Sequence, residues 1–240
     1  DRVELLSRAV DTLMGRTDYP ALEPNGLDNA TTCPRARAYL AELPGRGVRV
    51  LDCPGPFNFA AINNRGVAAT DADLICLLNN DVEITEPGWL AEMVSALARP
   101  EIGAVGAKLL WDTGMVQHGG VVLGIDGGAA HAGPLWAAGD QGYCGANRLA
   151  RRVSAVTAAC LLLRRADYRA VGGMDADAFP VNFNDVDLCL KLGALGKAVL
   201  WTPHARMLHH ESASRGRDAL PARAARARRA VGGAGGGPAG

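Results

Sequence analysis

The sequence lacks an excess of charge of either sign, a membrane-length apolar run and a signal peptide. Its 240 residues carry 25 basic and 25 acidic side chains, which argues against a general nucleic-acid-binding surface. No apolar stretch approaches the roughly 20 residues that a transmembrane helix needs. We therefore expect a cytoplasmic protein, with any membrane contact peripheral and at the inner face of the cell membrane.

Closely spaced metal ligands are also missing. The six cysteines are scattered without the short spacings of a zinc site, and no His-x-x-x-His motif is present. Cys76 and Cys160 lie within apolar runs, which is typical of buried, reduced thiols in a cytosolic protein. With 48% hydrophobic residues, the chain can bury a substantial core as one α/β domain.

An apolar run of strand length, residues 74–78, ends abruptly in Asn79, Asn80 and Asp81. Its length and polar boundaries indicate a strand buried on both faces of a parallel sheet. Ligands bind beyond the carboxyl ends of strands in such sheets, so these side chains are candidates to hold a cation against a nucleotide diphosphate. A polar exit from strand to loop is the alternative, because Asn and Asp are ordinary turn formers.

A second acidic cluster, Asp185 and Asp187, follows Asn184 at the predicted start of a helix. Asn184 is a candidate N-cap. The dipole of the helix favours the ionised form of Asp185 in the first turn, which suits a carboxylate that accepts a proton at neutral pH. A structural role is the commoner one for an acidic residue at this position.

Strands and helices alternate along the chain, which indicates a largely parallel sheet covered by helices. The Gly-rich segment 119–146 is predicted to be an insertion with hairpin character, and His118 and His131 flank its glycines. Helices are predicted at 3–14, 58–69, 89–97 and 167–171, and strands at 48–51, 74–78 and 154–163.

Several short segments carry a resemblance to a known family through their order along the chain. They are residues 57–64, 77–81, 87–90, 103–108, 172–175, 184–187 and 209–214. Together they resemble family 2 glycosyltransferases, including the rhamnosyltransferase-like enzymes of bacterial surface-polysaccharide assembly. The resemblance covers about residues 1–216, which we expect to form the glycosyltransferase domain.

The resemblance implies an α/β fold of the Rossmann-like GT-A type, with a mostly parallel central sheet flanked by helices. It also implies inverting transfer of a sugar from a nucleotide-sugar donor to a hydroxyl of a glycan or lipid-linked saccharide acceptor. Asp81 then ends the motif that binds a divalent cation, Mn²⁺ or Mg²⁺, and Asn79 and Asn80 belong to the donor site. Because Asn79 stands where many relatives carry Asp, cation binding is expected to depend more on the donor diphosphate. Asp185 takes the position of the catalytic base.

Two further residues gain roles from the resemblance. His209 takes the position of a histidine that contacts the metal or diphosphate, and the register favours it over His210; two hydrogen-bonded histidines near a strand end are the alternative. A neutral imidazole suits Mn²⁺ better than Mg²⁺. Asp28 matches a position that contacts the nucleotide base or ribose, and a turn formed with Asn29 is the alternative.

Both ends of the chain depart from the family pattern. Relatives begin with an apolar strand, whereas this sequence begins in its first helix, so that strand is expected to be missing. Pro24 and Gly26 oppose a central strand at the next position. Residues 217–240, rich in Arg, Ala and Gly, are expected to be a disordered, solvated tail, with contact between its arginines and anionic lipid as the less favoured reading.

The sequence therefore leaves three functions open. A metal-assisted inverting glycosyltransferase is favoured by the ordered motifs. A non-catalytic remnant that binds nucleotide or sugar is favoured by the missing strand and Pro24. A metal hydrolase that uses Asp81, Asp185 and His209 is the least favoured, because the spacing lacks a compact ligand motif.

Overall fold

The structure is a computed structural model that describes residues 2–124, 129–133 and 136–210. The predicted tail, 217–240, lies outside the described residues. The helices are α1 (Val3–Arg16), α2 (Pro34–Glu42), α3 (Phe59–Ala68), α4 (Trp89–Leu97), α5 (Arg165–Ala170) and α6 (Asn184–Ala194). The strands are β1 (Asn25–Asp28), β2 (Arg49–Asp52), β3 (Leu74–Leu78), β4 (Val82–Ile84), β5 (Ile102–Leu110), β6 (Val116–His118), β7 (Val121–Leu123), β8 (Ala129–His131), β9 (Arg151–Val153), β10 (Cys160–Arg164) and β11 (Ala198–His209).

A seven-stranded sheet forms the centre of the fold, in the order β3-β10-β5-β11-β4, with β6 on β5 and β9 on β11. Helices flank this sheet, so the predicted α/β class is confirmed. The expectation of mostly parallel strands is wrong for this sheet, because β5 and β11 are parallel while the other described pairings are antiparallel. The apolar composition of β3 and β10 reports burial on both faces, and such burial does not fix the direction of a neighbouring strand.

A second, smaller sheet pairs β1 with β2 in parallel. Pro24 and Gly26 oppose a central strand, and among the described strands β1 indeed pairs only with β2. Within the described residues, α1 precedes β1 and packs against β4 of the main sheet. The predicted first helix is thereby confirmed.

Two hydrophobic layers lie on opposite faces of the main sheet. Leu161 and Leu163 of β10 pack in the layer that includes α3, α5 and α6. Cys160 and Leu162 of the same strand pack in the layer that includes α4. Successive side chains of a strand point to opposite faces, so a strand covered on both sides reads as one continuous apolar run.

The helices near the site begin close to where the sequence predicts. At the start of α3, the Asn58 side chain caps the helix by accepting a hydrogen bond from the Ala61 amide at 2.9 Å. The predicted cap of α6 is off by one residue, because Asn184 is already helical and Phe183, with φ of 63°, precedes it. The Asn184 amide instead donates to the Val181 carbonyl at 2.9 Å. Within the described residues, the helices are too short or too polar to cross a membrane.

A run of small residues, 155–159, leads into β10 and lies against the sheet. We call it the 155–159 segment. The prediction of a strand from 154 is wrong for this part, since β10 begins at Cys160. The Ala155 carbonyl accepts from the Val121 amide at 2.8 Å, and the Ala159 carbonyl accepts from the Asn79 amide at 3.0 Å. Two other parts of the fold are thus fastened to this segment.

Glycine at position 106 permits this close approach. Val156 is fully buried above it, and a Cβ on residue 106 would lie 2.4 Å from the Val156 Cβ. Carbon atoms in contact are normally about 3.5–4.0 Å apart. Any larger residue at this position would therefore push the 155–159 segment away from β5.

A buried lysine holds another loop to β5. Lys108 is 2% exposed, and its Nζ donates to the carbonyls of Ala138 at 2.9 Å and Asn147 at 3.2 Å. Burial lowers the pKa of Lys108 to about 8. The loop that carries Ala138 and Asn147 is thereby attached to the middle of the sheet.

We predict that Gly106→Ala lowers the free energy of unfolding by about 1–3 kcal/mol, the usual cost of an extra methyl group in a packed core. Urea unfolding measures this change. Gly193→Ala is the matched control, because the Cβ would meet nothing within 4 Å on an exposed turn of α6. The control should be neutral or slightly stabilising, since Ala is the better helix former. Equal stability of the two variants would contradict the packing described here.

Candidate functional site

All the site residues singled out by the sequence line one cavity of ≈ 1790 Å³. The cavity collects them from the end of β1, the turn between β3 and β4, the first turn of α6 and the end of β11. They are Asp28, Asn79, Asn80, Asp81, Asp185 and His209. Residues far apart in sequence therefore meet at one place in the fold.

The turn between β3 and β4 is fixed by its backbone. The Asn79 amide donates to the Ala159 carbonyl at 3.0 Å, and the Asp81 carbonyl accepts from the His210 amide at 2.9 Å. β4 then runs antiparallel to β11, with Val82 opposite His209. This register places His209 beside Asp81.

The imidazole of His209 is oriented on both sides. Its Nε2 lies 3.1 Å from Asp81 Oδ1, and its Nδ1 lies 2.7 Å from Gln117 Oε1. The Gln117 amide group donates to the His209 carbonyl at 3.4 Å, which fixes which end of that amide faces the ring. Because Oε1 can only accept, Nδ1 carries a proton. In the neutral ring, Nε2 therefore presents a lone pair, and the Asn79 side-chain amide approaches it at 3.3 Å.

The Asp81 carboxylate and the His209 Nε2 lone pair thus converge on each other. Two electron-pair donors 3.1 Å apart are stabilised by a shared positive charge, either a ring proton or a metal cation. The pair fits a divalent cation that accepts both oxygen and imidazole ligands, as Mn²⁺ does. Within the residues that the structure describes, no group of three or more His, Cys, Asp or Glu is placed to hold a metal. A bound cation would therefore need further ligands from a phosphate, water or an amide.

The other histidine of the pair faces elsewhere. His210 Nε2 lies 3.2 Å from Glu83 Oε2, and neither residue belongs to the lining of the cavity. The preference for His209 over His210 as a site residue thus agrees with where the two rings lie. The role of His209 as a metal or diphosphate contact stays a prediction.

Asp185 reaches the cavity from the first turn of α6. Its Oδ2 accepts from the Ala158 amide at 3.1 Å, and its Oδ1 from the Val186 amide at 2.9 Å. Asp187, one half-turn further along, lies outside the cavity lining and forms an ion pair with Lys191 at 2.7 Å. The two carboxylates are therefore separated in function by their surroundings: one faces the cavity and the other is neutralised within the helix.

The alternative of a turn at Asp28 is confirmed, and its contact with a nucleotide base or ribose stays a prediction. Asp28 ends β1 and lines the cavity, and its Oδ1 also accepts from the Thr31 amide at 3.0 Å, so the chain turns there. Asn29 supports the turn by donating to the Cys53 carbonyl at 2.7 Å. Asn80 is exposed at the cavity, beside the more enclosed Asn79.

Sequence reasoning missed Gln117 and the amides of the 155–159 segment. It named His118 and His131 only as neighbours of a Gly-rich stretch. The predicted hairpin there is confirmed as β7 and β8, while residues 125–128 and 134–135 lie outside the described residues. His118 is buried, and its Nδ1 lies 2.7 Å from the Nδ1 of His131, which lines the cavity. No local sequence pattern predicts the role of Gln117, because that role depends on a contact with His209 of the distant strand β11.

Comparison with known families shows which protein family this chain belongs to. A family model described as "Glycosyltransferase like family 2" matches residues 13–233. The chain belongs to this family. The match covers most of the chain and extends into the segment 217–240 that the sequence predicts to be a tail.

Several bacterial proteins are similar in sequence to this chain. The chain is 42% identical to uncharacterised protein y4gI of Sinorhizobium fredii over 96% of its own length and 26% of that protein. It is 42% identical to the O-antigen biosynthesis protein RfbC of Myxococcus xanthus, over 92% of the chain and 17% of that protein. It is 30% identical to an N-acetylglucosaminyl-diphospho-decaprenol L-rhamnosyltransferase of Mycobacterium tuberculosis, over 80% of the chain and 67% of that protein. The chain thus spans about a quarter or less of the first two relatives.

Solved glycosyltransferases share the fold. GalNAc-T7, crystallised with UDP, GalNAc and Mn²⁺, matches 86% of this chain and 41% of its own with a TM-score of 0.69 at 14% identity. The mannosyltransferase PcManGT of Pyrobaculum calidifontis, in complex with GDP-Man and Mn²⁺, matches 89% of this chain and 55% of its own with a TM-score of 0.62 at 15% identity. The GT-A fold class is confirmed by these likenesses.

We predict that Gln117→Leu changes the tautomer of His209. In the parent protein, long-range ¹H–¹⁵N spectra at about pH 8.5, where ordinary imidazoles are neutral, should show a proton on Nδ1. Without the Gln117 acceptor, the ratio of the Nδ1–H tautomer to the Nε2–H tautomer should fall by roughly 2–12-fold, the equivalent of one neutral hydrogen bond of about 0.5–1.5 kcal/mol.

Gln141→Leu is the control for this experiment, because Gln141 is exposed and outside the cavity lining. It should leave the His209 signals unchanged. A parent spectrum with the proton on Nε2 would contradict the assigned orientation of Gln117.

Proposed function

We propose that this chain transfers a sugar, with inversion at the anomeric carbon, from a nucleotide-sugar donor to a hydroxyl of a saccharide acceptor. The assembly of cell-surface polysaccharide is the setting that we propose. The carrying observation is that a single cavity is lined both by Asp185 and by the converging pair Asp81 and His209. Sugar transfer needs a group that takes a proton and a place for the charge of a departing diphosphate, and this cavity offers both.

Asp185 is the proposed base. An acceptor hydroxyl that attacks an anomeric carbon must lose its proton as the new bond forms, and a carboxylate within hydrogen-bond reach can take it. The Ala158 and Val186 amides hold one lone pair of each oxygen and leave others for the hydroxyl. Direct displacement inverts the anomeric centre, so a second carboxylate is not needed as a nucleophile.

Asp81 and His209 are the proposed protein ligands of Mn²⁺ or Mg²⁺. When bound, such a cation stabilises the negative charge that develops on the leaving diphosphate. Gln117 keeps the Nε2 lone pair of His209 directed at Asp81, and the Asn79 and His210 amides keep the turn in place. Because the protein supplies few charged ligands, we propose that the donor diphosphate completes the site. Asp28, Asn79 and Asn80 are the proposed contacts of the nucleotide.

The relatives suggest the class of substrates. One is named for O-antigen biosynthesis, and another for transfer of L-rhamnose to N-acetylglucosaminyl-diphospho-decaprenol. Both names describe saccharide growth on a carrier or at a cell surface. We therefore propose a glycan or lipid-linked saccharide as the acceptor of this chain, handled where the protein can approach the inner face of the membrane.

Asp185→Asn should separate binding from chemistry. The substitution keeps the shape and removes the charge that takes the proton, so donor affinity should persist while single-turnover transfer falls by about 10²–10⁴-fold. The assay supplies UDP-, GDP- and dTDP-sugars with a short-chain N-acetylglucosaminyl-diphospho-prenol, and follows labelled product.

Asp187→Asn is the matched control, because Asp187 lies on the same helix but outside the cavity lining. Its transfer rate should stay within a few-fold of the parent. Near-parental transfer by Asp185→Asn would remove Asp185 as the base. A parent protein that binds a nucleotide but transfers no sugar would favour the non-catalytic alternative.

Asp81→Asn and His209→Ala should weaken metal-dependent donor binding. We expect each to raise the Mn²⁺ concentration for half-maximal UDP or GDP binding by about 10-fold or more, as disruption of even the outer shell of a metal site costs about that much. His210→Ala is the control, since that ring contacts Glu83 outside the cavity. Calorimetric titration with and without Mn²⁺ measures the change. A larger effect from His210→Ala would show that the wrong histidine was chosen.

A further inference from the structure

His118 and His131, which lie outside the proposed metal and base positions, form a hydrogen-bonded pair. His131 is the member that lines the cavity. His118 is 1% exposed, whereas His131, at the end of β8, is exposed and lines the cavity. Their rings meet edge to face, with centroids 4.9 Å apart and planes at 83°. One hydrogen bond of 2.7 Å joins the two Nδ1 atoms.

The position of each proton in the His118–His131 pair can be derived from its buried member, His118. The Thr157 amide donates to His118 Nε2 at 3.3 Å, so that nitrogen accepts and carries no proton. Burial lowers the pKa of His118 well below its usual value, and the ring therefore holds a single proton, on Nδ1. That proton is donated to His131 Nδ1, which must accept. The neutral His131 ring consequently carries its own proton on Nε2, the nitrogen remote from His118.

The 155–159 segment fixes both the His118–His131 pair and the proposed base, Asp185. Thr157 donates its amide to His118, and the next residue, Ala158, donates its amide to Asp185. Consecutive amides are only a few ångströms apart, since neighbouring Cα atoms are about 3.8 Å apart. His118 and Asp185 are thus held by neighbouring amides of the 155–159 segment, and His131 is connected to the segment through His118. Asp81 and His209 are held by β4 and β11.

We propose that His131 binds the saccharide acceptor, with its Nε2–H donating to a sugar hydroxyl other than the one that Asp185 deprotonates. This inference rests on the proposed function and deepens it by naming an acceptor contact. Asp185 accepts from the reacting hydroxyl, and His131 orients the acceptor through a second hydroxyl. An acceptor that carries both hydroxyls is thereby distinguished from one that lacks the second, because the loss of that hydroxyl leaves a polar side chain unpaired.

The first test reads the tautomers directly. Protein labelled with ¹⁵N-histidine contains five imidazoles, and long-range ¹H–¹⁵N spectra assign the proton on each neutral ring. We expect Nδ1–H for His118 and Nε2–H for His131. Addition of short-chain N-acetylglucosaminyl-diphospho-prenol should then shift the His131 Nε2–H signal and leave that of His204 unchanged. Nδ1–H on His131, or no shift with this saccharide, would overturn the inference.

The second test measures transfer. His131→Leu should raise KM for the same acceptor by about 3–10-fold, the worth of one neutral hydrogen bond, and leave donor affinity unchanged. His131→Gln, whose side-chain amide reaches a similar distance with an N–H, should restore part of the loss. His204→Leu is the matched control, because His204 is exposed on β11 and outside the cavity lining.

The outcomes separate this inference from the proposed function. Parental KM in His131→Leu, or an equal effect from His204→Leu, would overturn the role of His131. A parent protein that shows the His131 shift with the saccharide but forms no product would leave this contact standing and would contradict the proposed transfer. Thermal melting of each variant shows whether it is folded, because His131→Leu leaves the buried Nδ1–H of His118 without its acceptor, whereas the side-chain oxygen of Gln can accept it.

Discussion

The close approach of the 155–159 segment to the central sheet is the constraint on which the site depends. Its backbone uses four groups in four directions: the Ala155 carbonyl to β7, the Thr157 amide to His118, the Ala158 amide to Asp185 and the Ala159 carbonyl to Asn79. These groups can act together because the segment is buried and made of small residues over Gly106. The positions of Asp185, of the acidic turn and of the His118–His131 pair are therefore set by one stretch of backbone.

Local patterns predicted the parts of the fold that depend on local sequence. The apolar run of β3, the periodicity of α1 and α4 and the start of α3 each lie within a few residues of the predicted place. The first turn of α6 carries Asp185 as expected. Such signals are short-ranged, because helix caps and alternating burial involve neighbours within about one turn or two strand residues.

The failures share a long-range origin. The direction of β10 beside β3 is set by the path of the chain through 111–159, which no periodicity encodes. The predicted strand from 154 merged a buried non-strand segment with β10, since small apolar residues signal burial in either case. Gln117 acts on His209 across 92 positions of sequence. Of the site, the family pattern supplied the residues that could line a cavity, while the hydrogen bonds that orient them required the three-dimensional arrangement.

The fold tolerates great sequence change while its layers persist. Solved neighbours with 14% and 15% identity share the architecture at TM-scores of 0.69 and 0.62. The two-faced burial of β5, β10 and β11 requires apolar residues of suitable size rather than particular ones. The site obeys stricter rules, because Asp81, Gln117 and His209 must match in hydrogen-bond polarity as well as in shape.

Lys108 contributes to the dependence of stability on alkaline pH in the direction opposite to that of the buried thiol of Cys189, whose pKa is raised by burial. In an unfolded chain a lysine has a pKa of 10.5, whereas in the folded protein burial lowers that of Lys108 to about 8. Between these values the unfolded chain binds the additional proton, so this residue makes the fold more stable as pH rises, by an amount on the order of 3 kcal/mol over the whole interval. The uncharged amine still donates to Ala138 and Asn147. The attachment of that loop to β5 is thus compatible with a neutral Lys108. The charged form of this buried residue is the less favourable one, and deprotonation at alkaline pH removes its cost of burial.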